Sequence, residues 1–358
     1  MSIFAVTVER IAEVREHTNA DRLEMARLAS MSYQFVIAKG SYKPGDLVVY
    51  FPIDSILPQA VVTAIGLDGK LSGSEKNRVK TVRLRGEISQ GVVASPEVLI
   101  PGWNANVGFH EGQDITELLG VTKYEPPIIP SQAGNLVPLP DMVSVYDIEG
   151  AERFGEQVEQ YLLDAPVMIT EKLEGSHFAA SFYADGKIAV SQRRFRIEPV
   201  EGAEHDWHKA ARTSGLLDKL PRLKAEVERR LGRAFQVVTV RGEMIGPGIQ
   251  GNYYKLPAQA LRVFEIEANG TPLEANIYLN LIDEFEIDAV PLLASNVILR
   301  DWLVGQNLAQ ASNGKSILNP SAIREGIVVR PMNEVRSELL GRVIIKQRSP
   351  EYLAVSEY

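Results

Sequence analysis

The residues best placed to do chemistry lie in the segment Glu171–Ser176, where a lysine stands three positions before a glycine. Lys172 follows the apolar run Val167–Thr170 and precedes a second such run, which predicts a buried turn between two strands. A lysine amine becomes a nucleophile when it loses its proton, and burial or a nearby cation lowers its pKa from about 10.4. The segment therefore indicates attack of Lys172 on the α-phosphate of a nucleotide.

A lysine and a glycine at this spacing also arise by chance. Lys70 stands three positions before Gly73, but in a polar stretch between turn-forming residues, so we expect it to be exposed. An isolated lysine flanked by glutamates is more often an ordinary surface residue. The interpretation of Lys172 therefore depends on four patterns that follow it in order. They are Arg241–Glu243, Val263–Ile266, Glu325–Val329 and Ile344–Lys346.

Carboxylates in these patterns are candidates to hold a metal ion and a sugar. Glu174 and Glu325 are predicted to bind a divalent cation, partly through waters as Mg²⁺ prefers, and that charge would favour the neutral amine of Lys172. Gly242 allows close approach of a ligand, and the carboxylate of Glu243 suits the paired hydroxyls of a ribose. The chain has no cysteine, so any metal must be bound through oxygen or imidazole.

An aromatic residue and two cations complete the set, each with an ordinary alternative. Phe264 lies in an apolar strand, where such a residue more often packs in the core than against a ligand. Lys346 and Arg348 project from one strand face, which fits phosphate binding or a solvated edge. His205 and His208 are three apart, but their surroundings predict a mobile polar insertion rather than a metal site.

The charge distribution matters more than the net charge of -8, which by itself argues weakly against a polyanionic partner. A basic excess lies between positions 70 and 85, and it suits either a phosphate backbone or a solvated hairpin. Its candidate contact residues are Lys76, Arg78, Lys80, Arg83 and Arg85.

The elements that must position these residues fall into two domains, as a length of 358 residues suggests. Residues 1–120 contain short strands, such as Phe4–Val8, Gln34–Ala38 and Leu47–Phe51, which predict a small barrel of oligonucleotide-binding (OB) or SH3-like type. Five prolines predict an extended linker over residues 121–140. From 141 to 358, strand runs alternate with turns, and helices are predicted at 152–163 and 222–231.

Taken together, these patterns resemble the covalent nucleotidyltransferases, and most closely the ATP-dependent RNA ligases with an N-terminal OB domain, the Deinococcus type. The front of the chain shares in the resemblance through four segments, namely Asn19–Glu24, Lys43–Pro52, Arg83–Gly91 and Lys123–Pro127. The resemblance implies an all-β OB-like barrel over 1–120 and an α+β adenylyltransferase domain with antiparallel sheets over 141–358.

The resemblance also implies a role for each motif residue. Lys172 would carry AMP, Glu171 would read the adenine, and Phe264 would stack on it. Glu243 would hold the ribose, and Arg193 would contact ribose or substrate phosphate. Glu174 and Glu325 would serve the metal. The full nucleotide-binding set comprises Glu171, Leu173, Gly175, Arg193, Glu243, Phe264, Lys346 and Arg348.

The implied cofactors are ATP, as AMP donor, and Mg²⁺ or Mn²⁺, and the implied partner is RNA with 5′-phosphate and 3′-hydroxyl ends, including nicked duplex. The basic residues between 76 and 85 would contact that RNA. Glu174 stands where many relatives have Asp or His, His177 where some have Asn, and Arg348 where Lys is frequent. These departures bear on metal geometry and on pyrophosphate contacts rather than on the nucleophile.

Two rival functions fit parts of the chain. A DNA ligase or a GTP-dependent capping enzyme would use the same motifs with a different nucleotide or strand. A non-enzymatic tRNA-binding or RNA-binding protein is suggested by His17–Leu23, but it leaves Lys172, Glu243 and Glu325 unexplained. We expect a monomer in the cytoplasm or another reducing compartment, with no membrane segment.

Overall fold

The computed structural model describes residues 4–103, 109–125, 135–202 and 204–355. The chain divides into two compact units. The barrel unit comprises residues 2–126, 150–156 and 353–358, and the two-sheet unit comprises residues 127–149 and 157–352. Within the described ranges, no helix has the length and apolar character needed to cross a bilayer.

The barrel unit is built on a five-stranded antiparallel sheet with strand order β3-β2-β1-β4-β8. Its strands are β1 (Thr7–Glu16), β2 (Leu23–Leu28), β3 (Gln34–Ala38), β4 (Leu47–Phe51), β5 (Ser55–Ile56), β6 (Thr81–Leu84), β7 (Glu87–Gln90), β8 (Val92–Ala94) and β9 (Thr122–Lys123). Its short helices are α1 (Gln59–Ala64) and α2 (Pro96–Leu99). The all-β front domain predicted from the sequence is therefore present.

Strands β3 and β4 have the bounds predicted for them, whereas β1 begins at Thr7 rather than Phe4. Strand β2 was not predicted, because Leu23–Leu28 is rich in residues that favour helices, such as Leu, Glu, Met and Ala. Pairing with β1 on one side and β3 on the other overrides that preference.

The two-sheet unit contains a seven-stranded sheet, β10-β15-β14-β13-β16-β17-β18, and a five-stranded sheet, β11-β23-β20-β12-β19. The strands are β10 (Asn135–Pro138), β11 (Glu149–Gly150), β12 (Pro166–Lys172), β13 (Ser176–Tyr183), β14 (Ile188–Ser191), β15 (Phe195–Glu198), β16 (Val237–Ile245), β17 (Ala260–Ala268), β18 (Thr271–Pro272), β19 (Leu292–Ile298), β20 (Gly326–Pro331), β21 (Arg336–Ser337), β22 (Gly341–Arg342) and β23 (Ile345–Arg348). The predicted α+β domain with antiparallel sheets is thus observed.

The helices at 206–213, 216–231 and 275–284 pack on the seven-stranded sheet, and the main hydrophobic core lies between them and the sheet. The helices from residue 155 onward are α3 (Gly155–Tyr161), α4 (Asp206–Thr213), α5 (Leu216–Leu231), α6 (Ala275–Glu284), α7 (Leu299–Leu303), α8 (Leu308–Ser312) and α9 (Pro350–Val355), with 3₁₀ turns at Ala151–Arg153 and Gln250–Asn252. In α5, Leu216, Leu220, Leu223 and Val227 recur at helical spacing and are buried against the sheet.

The predicted mobile insertion around His205 is wrong. Asp206–Thr213 is helix α4, and the ring of His205 caps its first turn by accepting from the Trp207 backbone N–H. Trp207 is only 1% exposed, and its Nε1 donates to the carbonyl of His177 at 2.9 Å. The buried Trp207 side chain holds this segment against the rest of the unit. The polar residues around Trp207 gave no sign of that burial in the sequence.

The predicted linker lies partly outside the described residues, which leave out Pro126, Pro127 and Pro130. Of the rest, Asn135–Pro138 forms β10, which pairs with β15 as the outermost strand of the large sheet. Pro138 is tolerated there because an edge strand has one side that needs no ladder hydrogen bond.

Candidate active site

The segment around Lys172 crosses from one sheet of the two-sheet unit to the other. Strand β12 ends at Lys172 in the five-stranded sheet, and β13 begins at Ser176 in the seven-stranded sheet. Gly175 lies in the crossing, where a Cβ atom would overlap the carbonyl oxygen of Met244 and lie 2.7 Å from Glu243 Cγ. Glycine is therefore required by the close approach of β16, and the turn holds Lys172 where the two sheets meet.

Lys172 is ion-paired in this arrangement. It lies opposite Gly326 on β20, and its Nζ donates to Glu325 Oε1 at 2.5 Å. Burial alone would lower the pKa of Lys172, but the carboxylates of Glu325, Glu174 and Glu243 together raise it. The amine is therefore protonated here, and a positive charge added near these carboxylates would favour its neutral, nucleophilic form.

The three carboxylates around Lys172 have different surroundings. Glu325 is 5% exposed, and among the described residues no donor reaches its buried Oε2 atom. Glu174 Oε2 accepts from the hydroxyl of Tyr352, and its backbone N–H donates to the hydroxyl of Tyr254. Burial raises the pKa of Glu243 to about 8, against the lowering effect of Lys172.

These carboxylates fit a divalent metal that takes few protein ligands. Across the described ranges, no three His, Asp or Glu side chains converge as a metal cage. Mg²⁺ commonly binds through one or two carboxylates, waters and substrate phosphates. The unsatisfied Oε2 of Glu325 offers one carboxylate ligand for such a metal. The carboxylate of Glu174, which like that of Glu325 raises the pKa of Lys172, offers a second.

One cavity collects most of the predicted nucleotide-binding residues. Those that line it are Glu171, Lys172, Leu173, Arg193, Glu243, Phe264 and Lys346. Of the other predicted residues, Glu325 touches Lys172, and Gly175 lies in the turn that follows Lys172. Arg348 lies opposite Gly326 in the adjacent strand and acts electrostatically on Glu325. Residues far apart in sequence are thus brought to one place.

Part of the cavity wall is aromatic. The ring centroid of Phe264 lies 5.1 Å from that of Tyr146 and 5.9 Å from that of His177, and the Tyr146 and His177 rings stack at 5.5 Å. Burial and Arg241 lower the pKa of His177 to about 3, so its imidazole is neutral. Glu171, 1% exposed, accepts from the Ile317 backbone N–H at 2.9 Å.

Cations also line the cavity, with a carboxylate among them. Asp147 Oδ2 lies 2.7 Å from Arg193 Nη2, and Asp147 Oδ1 lies 3.9 Å from Lys346 Nζ. Burial and the nearby Lys172 lower the pKa of Lys346 to about 8, although Asp147 opposes them. Sequence reasoning found both cations but missed Asp147 and Tyr146, because residues 141–148 show no regular pattern from which to infer their position.

A buried ionic network supports this wall. Arg241 makes a two-pronged pair with Glu267, at 2.7 and 3.0 Å, and also donates to the carbonyl of Ser144. Arg330 and Arg342 both reach Glu265. All of these side chains lie at or next to the predicted motifs, yet their mutual pairing is visible only in three dimensions. The network fixes the chain just before Tyr146.

The five basic residues predicted in the barrel unit are not equivalent. Lys76, Arg83 and Arg85 are exposed, the last two on the β6–β7 hairpin. Arg78 instead pairs with Asp54 at 2.6 Å and lies 3.4 Å above the ring of Tyr124. Arg78 and Lys80 line a groove of the barrel unit that also includes Lys70, Val82 and Leu84.

Comparison with known proteins agrees with both units. A profile for an OB-fold domain matches residues 5–96, and the profile of the RNA ligase family matches residues 165–348, just over half of the chain. The chain belongs to the RNA ligase family. Among curated proteins, none is significantly similar in sequence.

Solved structures of an RNA ligase from Naegleria gruberi resemble this RNA ligase over nearly its whole length. A lysine-to-methionine variant with AMP and Mn has a TM-score of 0.77, and a glutamate-to-alanine variant with ATP and Mn has 0.78. Both are 26% identical, covering 98% of this chain and 98% of theirs. The predicted family, enzyme class and two-part fold are confirmed, and the front barrel is of the OB type.

Proposed function

We propose that this RNA ligase seals 5′-phosphate and 3′-hydroxyl RNA ends, with ATP as the AMP donor and Lys172 as the residue that carries AMP. One observation bears most of the weight: the amine of Lys172 lies against Glu325 in a cavity that Phe264 and Lys346 also line. The Naegleria ligase structures that contain ATP or AMP with Mn support the same nucleotide and a divalent metal.

The cavity suits a nucleotide in one orientation. The purine would lie against the ring of Phe264, near the buried carboxylate of Glu171. The ribose hydroxyls would face Glu243, which is largely uncharged at neutral pH because its pKa is about 8, and can therefore donate as well as accept. The α-phosphate would then lie between Lys172 and Lys346, with Arg193 beside it.

Glu325 and Glu174 would hold the metal, and a bound Mg²⁺ or Mn²⁺ ion would neutralise phosphate and carboxylate charge and favour the neutral form of the Lys172 amine. Tyr352 and Tyr254 fix the orientation of Glu174 from its side chain and its backbone.

The reaction runs in three displacements. The deprotonated Lys172 amine attacks the α-phosphorus, the bond to the β-phosphate oxygen breaks, and pyrophosphate leaves. An oxygen of an RNA 5′-phosphate then attacks the same phosphorus, the phosphorus–nitrogen bond breaks, and Lys172 regains a proton. Finally the 3′-hydroxyl loses its proton as it attacks the RNA 5′-phosphorus, and AMP leaves. Lys346 and Arg193 stabilise the negative charge that develops in each displacement.

The barrel unit would bind the RNA backbone. Lys76, Arg83 and Arg85 are exposed and available for phosphate contacts, and Lys80 lines the groove beside them. Arg78 would act mainly by fixing the local chain, since it is paired with Asp54. We propose that the enzyme acts as a monomer and that its substrates include nicked duplex RNA.

Denaturing electrophoresis after incubation with α-labelled ATP or GTP tests the first step. We expect a covalently labelled protein with ATP and Mg²⁺, little label with GTP, and none without divalent metal. Adding RNA that bears a 5′-phosphate should remove the label from the protein, whereas the same RNA with a 5′-hydroxyl should leave it. Absence of labelling with ATP, or efficient sealing of DNA in preference to RNA, would contradict the proposal.

A further inference from the structure

Two cations that line the nucleotide cavity are already engaged by a carboxylate of the protein itself. Asp147 reaches Arg193 at 2.7 Å and Lys346 at 3.9 Å, and these are the cations that would meet the nucleotide phosphates. The Asp147 side chain is only 13% exposed, against 45% for Arg193 and 32% for Lys346. The carboxylate is therefore the most buried member of the contact, and both cations keep a face open to solvent.

Several contacts hold Asp147 in this place. Arg193 Nε donates to the carbonyl of Tyr146 at 3.1 Å, and the Tyr146 ring stacks on His177. Arg241 donates to the carbonyl of Ser144 and is itself locked by Glu267. The backbone at Ser144 and Tyr146 is thus held in place by hydrogen bonds. These contacts keep the carboxylate of Asp147 next to Arg193 and Lys346.

We infer that Asp147 is an affinity-determining residue of the nucleotide site, which weakens binding of ligand phosphates by competing for Lys346 and Arg193. The inference rests on the proposed nucleotide site. An incoming phosphate must displace a carboxylate of the same charge sign from the same cations, so part of each new ion pair replaces an old one. Pyrophosphate leaving after the first step meets the same competition, which favours its release.

A charge-removing substitution of the same shape isolates this effect. In Asp147→Asn the amide oxygen can still accept from Arg193, but the negative charge facing Lys346 is lost. Asp185→Asn is the matched control, because Asp185 pairs with Lys187 at 2.8 Å on an exposed turn of the same unit and changes the net charge equally.

Calorimetric titration of the full-length protein in metal-free buffer measures binding without the covalent step. We expect Asp147→Asn to bind ATP and pyrophosphate about three- to tenfold more tightly, AMP less so, and adenosine unchanged. Asp185→Asn should match the unmodified protein. Unchanged or weaker ATP and pyrophosphate binding by Asp147→Asn, or an equal gain for adenosine, would overturn the inference.

Covalent labelling of the unmodified protein by ATP and Mg²⁺ separates the two claims. If the unmodified protein is not labelled but Asp147→Asn still binds pyrophosphate more tightly, the proposed first step is rejected and the competition at Lys346 and Arg193 is retained. If the unmodified protein is labelled normally but Asp147→Asn shows no gain in ATP or pyrophosphate affinity, the first step is retained and the competition is rejected.

Discussion

Lys172 and Lys70 share a motif but not an environment. The Lys172 amine contacts Glu325 within a cavity, whereas the Lys70 amine donates to the carbonyl of Gly66 at 2.9 Å on an exposed surface. We predict that Lys172→Ala loses all covalent labelling by ATP, because no other amine is held at that position. Lys70→Ala is the control and should label normally. A Lys172 variant that still labels would show that another residue carries AMP.

Lys346 gives the nucleotide site a pH dependence. Its pKa, lowered to about 8 by burial and by Lys172, means that its charge is present below pH 8 and is lost as the pH rises through that value. Phosphate binding favours the charged form, so metal-free ATP affinity should be constant below about pH 7.5 and fall by up to about tenfold per pH unit well above 8.

Titrations of ATP between pH 7 and 9.5 test this expectation, and Lys346→Arg provides the comparison. Arginine stays charged over the whole range, so the fall should be clearly smaller in that variant, and the part that remains belongs to Glu243, whose pKa is also about 8. A fall that is the same in both proteins would assign the pH dependence to another group.

At the scale of elements, the contact between β20 and β23 positions both Glu325 and Lys346. A Cβ atom at Gly326 would overlap the carbonyl oxygen of Gln347 and lie 2.9 Å from the Cα atom of Arg348, so the strands could not keep their register. We predict that Gly326→Ala lowers the free energy of unfolding by about 1–3 kcal/mol and abolishes labelling even where the protein remains folded.

Thermal unfolding together with the labelling assay checks this prediction. Gly155→Ala is the matched control, since a Cβ atom there would meet nothing within 4 Å. That variant should be as stable and as active as the unmodified protein. Full labelling by Gly326→Ala would mean that the β20–β23 register does not control the site.

At the scale of the whole molecule, the two units should divide the work. The proposed nucleotide-binding residues lie in the two-sheet unit, and the exposed Arg83 and Arg85 lie on a hairpin of the barrel unit. We predict that Arg83→Glu with Arg85→Glu weakens RNA joining far more than self-labelling, and more severely at high salt, because phosphate contacts supply much of the affinity for a polynucleotide.

The control for this variant reverses two exposed helix cations of the other unit, Lys209→Glu with Arg222→Glu. It changes the net charge equally and should join RNA normally. Equal losses of labelling and joining in the hairpin variant, or no loss of joining, would remove the barrel unit from RNA binding.

The sequence by itself determined the chemistry and its order along the chain. The apolar runs on either side of Lys172 predict a strand-turn-strand unit, and the later motifs identify the residues that line the cavity, because these signals are local. Strands β3 and β4 follow in the same way from short apolar runs, and β4 also from the turn residues that precede it. The predicted roles of the site residues remain predictions for the experiments above.

Only the tertiary structure decided what surrounds each of those groups. The raised pKa of Lys172, the aromatic contact of Tyr146 with Phe264 and the placement of Asp147 between Arg193 and Lys346 all join distant segments. The same is true of Arg78, which the sequence predicts as a contact for RNA but which is paired with Asp54 in the structure. Electrostatic effects depend on distance and burial, and neither quantity is encoded by the spacing of residues along one chain.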